Sequence, residues 1–191
     1  MKKIDARIIK TRRSLYIAFL KLLSEKNYDD ITINEICNRA EVRRATFYKH
    51  FSDKSSFAEA MTAHLISSFD ENMRLTNTHM DYSVEYHIQY LKELVRFLVE
   101  RIDAIRLLGK SNMYPNLVAL VINENYKALL ERLTNSAKNG MKLVASPDTI
   151  ATILAGGVGA GLNRWLMSDM TIEPEILISE YTKVISAMFT K

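Results

Sequence analysis

Residues that cross-link or stiffen a chain are scarce in this sequence: one cysteine, three prolines and six glycines among 191 residues. The lone Cys37 can form no internal disulfide and has no second thiol with which to build a metal knuckle. Long apolar runs are missing too. The longest, Ile150 to Leu162, is 13 residues with Thr152 inside it, and a bilayer needs about 20. The opening MKKIDARIIKTRRS is basic, but has neither an apolar core of signal-peptide length nor a small-residue cleavage site, so a cytoplasmic protein without membrane contact is expected. The four histidines, His50, His64, His79 and His87, show no close metal-ligand pairing. No Ser/His/Asp arrangement or carboxylate pair stands at a distinctive spacing, so no enzyme, metal or cofactor is expected. Glycine is concentrated in Ala155–Gly161, AGGVGAG, which fails both phosphate-loop templates. A dinucleotide fingerprint starting at Gly157 needs glycine where Leu162 stands, and a P-loop needs lysine after its last glycine. Close approach of another backbone or a ligand to a helix is the better account of these glycines.

What is present is an ordinary folded balance, 48% apolar and 25% charged, with a net charge of +4. The charge is unevenly spread. Residues 1–54 hold 13 Lys or Arg against 7 Asp or Glu, whereas the remainder holds 13 against 15. A basic module on a near-neutral body is what one expects when one end meets a polyanion, although a solvated basic face gives the same count.

Apolar residues recur at helical spacing almost throughout, and no segment reads as a strand. The pattern predicts helices at about 5–26, 33–40, 43–50, 53–75, 84–101, 103–110, 115–139, 147–168 and 174–189. The first has a stripe of Ile8, Ile9, Leu15, Phe19, Leu22 and Leu23. Pro115, Pro147 and Pro174 each fall in a first turn, where a missing amide breaks no bond. The expected fold is all-α: an N-terminal three-helix DNA-binding domain over 1–51 and a C-terminal helical body over 52–191.

Residues 32–51, TINEICNRAEVRRATFYKHF, read as two short helices around a tight turn. Thr32 and Glu35 form a capping box. Ile33, Ile36, Cys37 and Ala40 follow helical spacing on one face, and Val42 suits the buried position of the turn. Phe47 and Phe51, four apart, anchor the second helix. That leaves Arg43, Arg44, Thr46, Tyr48, Lys49 and His50 for another partner. A helix-turn-helix places such a second helix in the DNA major groove. Arg44 suits a bidentate contact to a guanine edge, Lys49 suits guanine or phosphate, and Thr32, Thr46 and Tyr48 are hydroxyl donors for phosphate. Lys54, a cation in a helix's first turn, opposes the helix dipole, which suggests a phosphate partner. Packed helices with an exposed basic face remain the alternative account of the same residues.

Residues Thr32–Ala60 resemble the DNA-binding signature of the TetR family of bacterial transcriptional regulators, at Thr32, Ile36, Ala40, Val42, Thr46, Tyr48, His50, Phe51 and Lys54. Glu41 departs from the glycine usual in the turn, and Arg43 from a small hydroxyl residue. The resemblance implies Thr32, Thr46, Tyr48 and Lys54 on phosphates and Arg44, Ala45 and Lys49 near base edges. It implies a homodimer through the last two long helices, bound to a palindromic double-stranded operator. It also implies a pocket in the body for an apolar or amphipathic effector, with Tyr86, Tyr90, Phe97, Met113, Tyr114, Tyr126 and Trp165 as candidate walls, although core packing explains most of these side chains. A ligand-responsive repressor is the expected function. A non-specific architectural DNA binder is the rival, followed by a small helical enzyme or lipid carrier.

Overall fold

The computed structural model describes residues 6–76, 83–168 and 171–189, so His79 lies outside the described residues. Ten α-helices are found among them: α1 Ala6–Leu23, α2 Ile33–Arg39, α3 Arg44–Tyr48, α4 Lys54–Thr76, α5 Val84–Val99, α6 Ile102–Gly109, α7 Tyr114–Lys138, α8 Pro147–Ile153, α9 Gly159–Met167 and α10 Pro174–Ala187. The fold is all-α, as the periodicity requires. The sole departure from helix pairing among the described residues is an isolated antiparallel bridge between Leu143 and Phe189.

The chain packs as two compact units: residues up to Thr62 with Asp103–Leu117, and Ala63–Ile102 with the residues from Val118 on. The sequence pattern drew its boundary at 51/52, ahead of α4. Packing puts it inside α4, because Phe57, Ala58 and Met61 on the first turns of α4 are buried. Phe57 meets Tyr16 and Phe19 of α1 at ring-centroid distances of 5.6 and 5.1 Å, and Phe47 and Phe51 at 5.3 and 4.9 Å. This aromatic knot is the core of the N-terminal unit. The α1 stripe joins it only from Leu15 onward, since Ile9 is exposed and Ile8 half-buried.

In the C-terminal unit, Ser83 and Ser146 cap α5 and α8 by accepting from the amides of Tyr86 and Thr149. The predicted helix over 147–168 is interrupted by one π-helical turn at Leu154–Val158, within the glycine-rich segment. Two of its glycines answer to contacts inside this unit. A Cβ on Gly159 would stand 3.1 Å from Cγ1 of Ile122, and one on Gly161 would stand 1.8 Å from the Tyr181 hydroxyl of α10. Gly156 and Gly157 face open space.

Candidate nucleic-acid interface

The capping box forms as expected and starts α2. The Thr32 hydroxyl accepts from the Glu35 amide at 3.2 Å, and the Glu35 carboxylate accepts from the Thr32 amide at 2.9 Å. The Thr32 hydroxyl also donates to Glu35 Oε2 at 2.7 Å, so its proton is engaged within the fold. Lys26 lies 2.5 Å from the other carboxylate oxygen, and these hydrogen bonds hold the Glu35 carboxyl down at about 2. Thr32 is exposed, but a phosphate meeting this end of α2 has to compete with Glu35 for its hydroxyl.

The turn closes on Glu41, at φ 55°. The Glu41 amide donates to the Asn38 carbonyl at 3.2 Å and the Val42 amide to the Cys37 carbonyl at 2.9 Å. This is a Schellman closure, which places the residue after the cap in the left-handed region. α7 ends the same way with the residue the rule prefers: Gly140 at φ 93°, with Met141 bonded to Ser136 and Gly140 to Ala137. Glutamate at the first site is strained by about 1 kcal/mol relative to glycine.

α3 is shorter than the pattern predicts, five residues from Arg44 to Tyr48, with Arg43 as an N-cap that makes no side-chain bond. A non-capping residue at that position gives the helix no support upstream. Lys49 and His50 follow in turn geometry, their amides bonded to Thr46 and Phe47 carbonyls. Even so, the faces separate as required. Phe47 is fully buried, while Arg43, Arg44, Ala45, Tyr48 and Lys49 are exposed. Thr46 and His50 are half-buried. Arg44 sits with its guanidinium 5.5 Å from the Tyr48 ring centroid and its Nη2 donating to the Tyr48 hydroxyl at 3.3 Å. The pair presents one planar cation and one hydroxyl together. Burial, then the charges of Arg12 and Lys49, hold the His50 pKa below its ordinary value.

Lys54 is engaged within the fold. Its ammonium donates to three backbone carbonyls, Tyr28 at 2.8 Å, Ile31 at 2.9 Å and Asp29 at 3.3 Å. It also lies 4.3 Å from the Tyr28 ring centroid. An ammonium has three protons, and all three are used. Burial pushes its pKa down. Lys54 ties the start of α4 to the segment that enters α2, and a phosphate meeting it has to compete with these carbonyls.

The candidate pocket residues are scattered. The C-terminal unit holds a half-open cavity of about 80 Å³ lined from α5, α7, the π turn, α9 and α10, and Tyr90 alone of the seven lines it. Met113 and Tyr114 belong to the N-terminal unit. Trp165 is buried and donates to the Ile172 carbonyl at 2.8 Å. Tyr126 donates to Asp148 at 2.5 Å. Phe97 packs on Phe69 and under the Arg101 guanidinium, and Tyr86 is buried beside His87. The sequence reading missed His87 and Asn125, which do line the cavity. One imidazole and one amide in helical patterns look like any others, and only the tertiary fold sets residues of α5 and α7 on one wall.

Beside the cavity, Tyr90 donates to Asp70 Oδ1 at 3.0 Å, and Arg132 Nη2 meets the same oxygen at 2.6 Å. Arg132 is 2% exposed. A buried ion pair of this kind is strongly destabilising to break, by about 3–5 kcal/mol. It ties α4, α5 and α7 together within the C-terminal unit.

Residues 11–61 match the family model for bacterial regulatory proteins of the tetR family. Over that stretch the chain is similar to the TetR family. The matched stretch contains α2, the turn and α3, together with the turns of α4 that bury Phe57. Among TetR-like and other helix-turn-helix regulators, the chain is 34% identical to the uncharacterised regulator YxbF of Bacillus subtilis (strain 168) over 85 residues, 44% of this chain and 22% of that protein. It is 27% identical over 82 residues to IcaR of Staphylococcus aureus, a negative transcriptional regulator of the biofilm operon icaADBC, covering 43% of this chain and 44% of IcaR. The chain thus matches less than half the length of these curated relatives. The fold extends further than sequence likeness does. DhaS, the dihydroxyacetone kinase operon activator, superposes with a TM-score of 0.71 over 94% of this chain and 98% of its own, at 17% identity.

Proposed function

We propose that the chain is a ligand-responsive transcriptional repressor that binds an inverted-repeat operator as a homodimer, reading the major groove with α3. The observation that carries this is the division of α3 into a buried Phe47 face and an outward Arg43, Arg44, Ala45, Tyr48 and Lys49 face, inside the segment that matches the family model. Arg44 and Lys49 read base edges, and Arg43, Thr46 and Tyr48 grip phosphate. Lys54 contributes only by positioning. A second copy docks on α8–α10. Ile153, Met167, Ile176 and Val184 expose apolar side chains there, with Ile176 at 56%, and Gly156 and Gly157 offer open approach. The negative regulation named for IcaR supports repression. Response to an effector runs through α4, whose Asp70 is held by Tyr90 and Arg132. An effector favouring the DNA-incompetent arrangement releases the operator by shifting that population.

The test is selection of bound duplexes from a random pool, followed by competition against unselected DNA. Enrichment of a palindrome is expected, with binding abolished in Tyr48→Ala and Lys49→Ala while helicity and sedimentation stay unchanged. Equal affinity for random and selected duplexes overturns the reading.

A further inference from the structure

Several cations of the N-terminal unit are held by groups of the protein. Lys26 meets Glu35, Arg39 meets Glu25, Lys54 donates to backbone carbonyls and Arg44 to the Tyr48 hydroxyl. Arg12 of α1 is different. It is exposed, its guanidinium lies 5.5 Å from the Phe51 ring centroid, and among the described residues it makes no hydrogen bond or ion pair. The Phe51 ring has a second basic neighbour. The imidazole of His50 sits 6.1 Å from its centroid, so the buried Phe51 ring is a platform shared by one cation from α1 and one group from the turn after α3. Neither ring nitrogen of His50 makes a hydrogen bond among the described residues, and neither is fully buried.

The charges around His50 are of one sign. Burial acts first, and then the charges of Arg12 and Lys49 disfavour the imidazolium. Tyr16, the other titratable side chain of α1 at this ring, lies 6.3 Å from Phe51 and is kept neutral by burial. Asp53, just ahead of α4, is turned to the Ser56 amide at 2.7 Å and the Ser52 hydroxyl at 3.0 Å. Cations gathered without an anion repel one another, and an anion entering among them is attracted by each. A phosphate suits the place, because a guanidinium takes it with two parallel N–H bonds and an imidazolium can give a third. Lys49 is part of the exposed face of α3, so the place adjoins the surface proposed to meet DNA.

We infer that Arg12 and His50 form a seat for one phosphate of the duplex backbone, and that His50 takes up a proton when the phosphate arrives. The inference rests on the reading of the chain as a DNA-binding regulator, and adds to it a contact outside the helix-turn-helix and a linkage to pH. The sign follows from the charges. A phosphate beside the imidazole favours its protonated form in the complex relative to the free chain, so operator binding strengthens as pH falls from about 8 to about 6. With one such histidine in each protomer of the proposed dimer, log affinity gains at most about 2 per pH unit.

The test measures affinity of the full chain for its selected operator against salt and pH, and follows the histidine side-chain nitrogens by nuclear magnetic resonance. Arg12→Gln is expected to lower the log–log salt slope by about 2, from two contacts of about 0.9 each, whereas a role limited to packing on Phe51 leaves the slope unmoved. His50→Gln keeps a hydrogen-bond donor that does not titrate, and there the pH dependence is expected to flatten. In the unaltered chain at about pH 7, the His50 ring is expected to be neutral when free and protonated in the complex, which reads the proton directly should that variant fail to fold. Inorganic phosphate at the same phosphate concentration is expected to leave the ring neutral. An unchanged salt slope in Arg12→Gln, a His50 ring still neutral in the complex, or equal protonation by inorganic phosphate overturns the seat while operator binding stands. A chain that prefers no duplex overturns the DNA reading together with the seat.

Discussion

Lys54 and His87 show how far a side chain's role depends on what surrounds it. Read along the chain, Lys54 is a cation unfavourably placed in a helix's first turn; in space it is saturated by the carbonyls of Tyr28, Asp29 and Ile31. Lys54→Met removes hydrogen bonds from a charged donor to buried-side carbonyls. It should lower stability by about 1.5–3 kcal/mol, read as a shift of the urea midpoint, and weaken operator binding only as α2 loses its position. A direct phosphate contact would instead leave stability unchanged and lower the salt dependence of binding. His87 is held neutral in the fold, so its folded pKa lies below the free value of about 6.5. The unfolded chain then binds the extra proton, and stability present above about pH 6.5 is lost as pH falls below it. The His87 contribution to the slope approaches about 1.4 kcal/mol per pH unit at most. Urea unfolding at a series of pH values should show it, and His87→Phe should flatten the curve. His50 shifts in the same direction and remains in that variant, so the difference isolates His87.

At the scale of elements, the two Schellman closures make a natural comparison. α7 ends on Gly140, whereas α2 ends on Glu41, and both residues occupy positive φ. Glu41→Gly should therefore stabilise the N-terminal unit by up to about 1 kcal/mol, measured by urea unfolding, with operator specificity preserved because α3 keeps its approach angle. Loss of stability would mean that the side chain is needed. Most elements were legible from periodicity and caps alone. The Thr32–Glu35 box marks the start of α2, and Pro147 and Pro174 mark the starts of α8 and α10, because such signals act within one turn of the chain. The end of α3 was less legible. Its last polar residues, Lys49 and His50, have no local stop signal, and the chain turns there because Phe51 must reach the aromatic knot beside Phe47 and Phe57. The π turn was illegible for a similar reason, since nothing in AGGVGAG fixes where one extra residue enters a helical turn.

For the whole molecule, the proposed dimer doubles the basic surplus of the N-terminal segment on the DNA side. Each phosphate contact contributes about 0.9 to the log–log slope of affinity against salt. Arg43→Ala removes one such contact from each protomer, so the slope of operator binding should fall by about 2 with the preferred sequence unchanged. A slope unaffected by Arg43→Ala would take that residue off the phosphate backbone.

The sequence by itself determined the all-helical architecture, the helix-turn-helix and the outward set on α3, because helical periodicity, caps and turn residues are local physics written in neighbouring positions. Tertiary structure alone decided where α4 changes allegiance, that Lys54 holds backbone carbonyls, and that His87 and Asn125 share a cavity wall with Tyr90. Those facts depend on groups far apart in the chain being brought within a few ångströms, and a one-dimensional pattern has no measure of that distance.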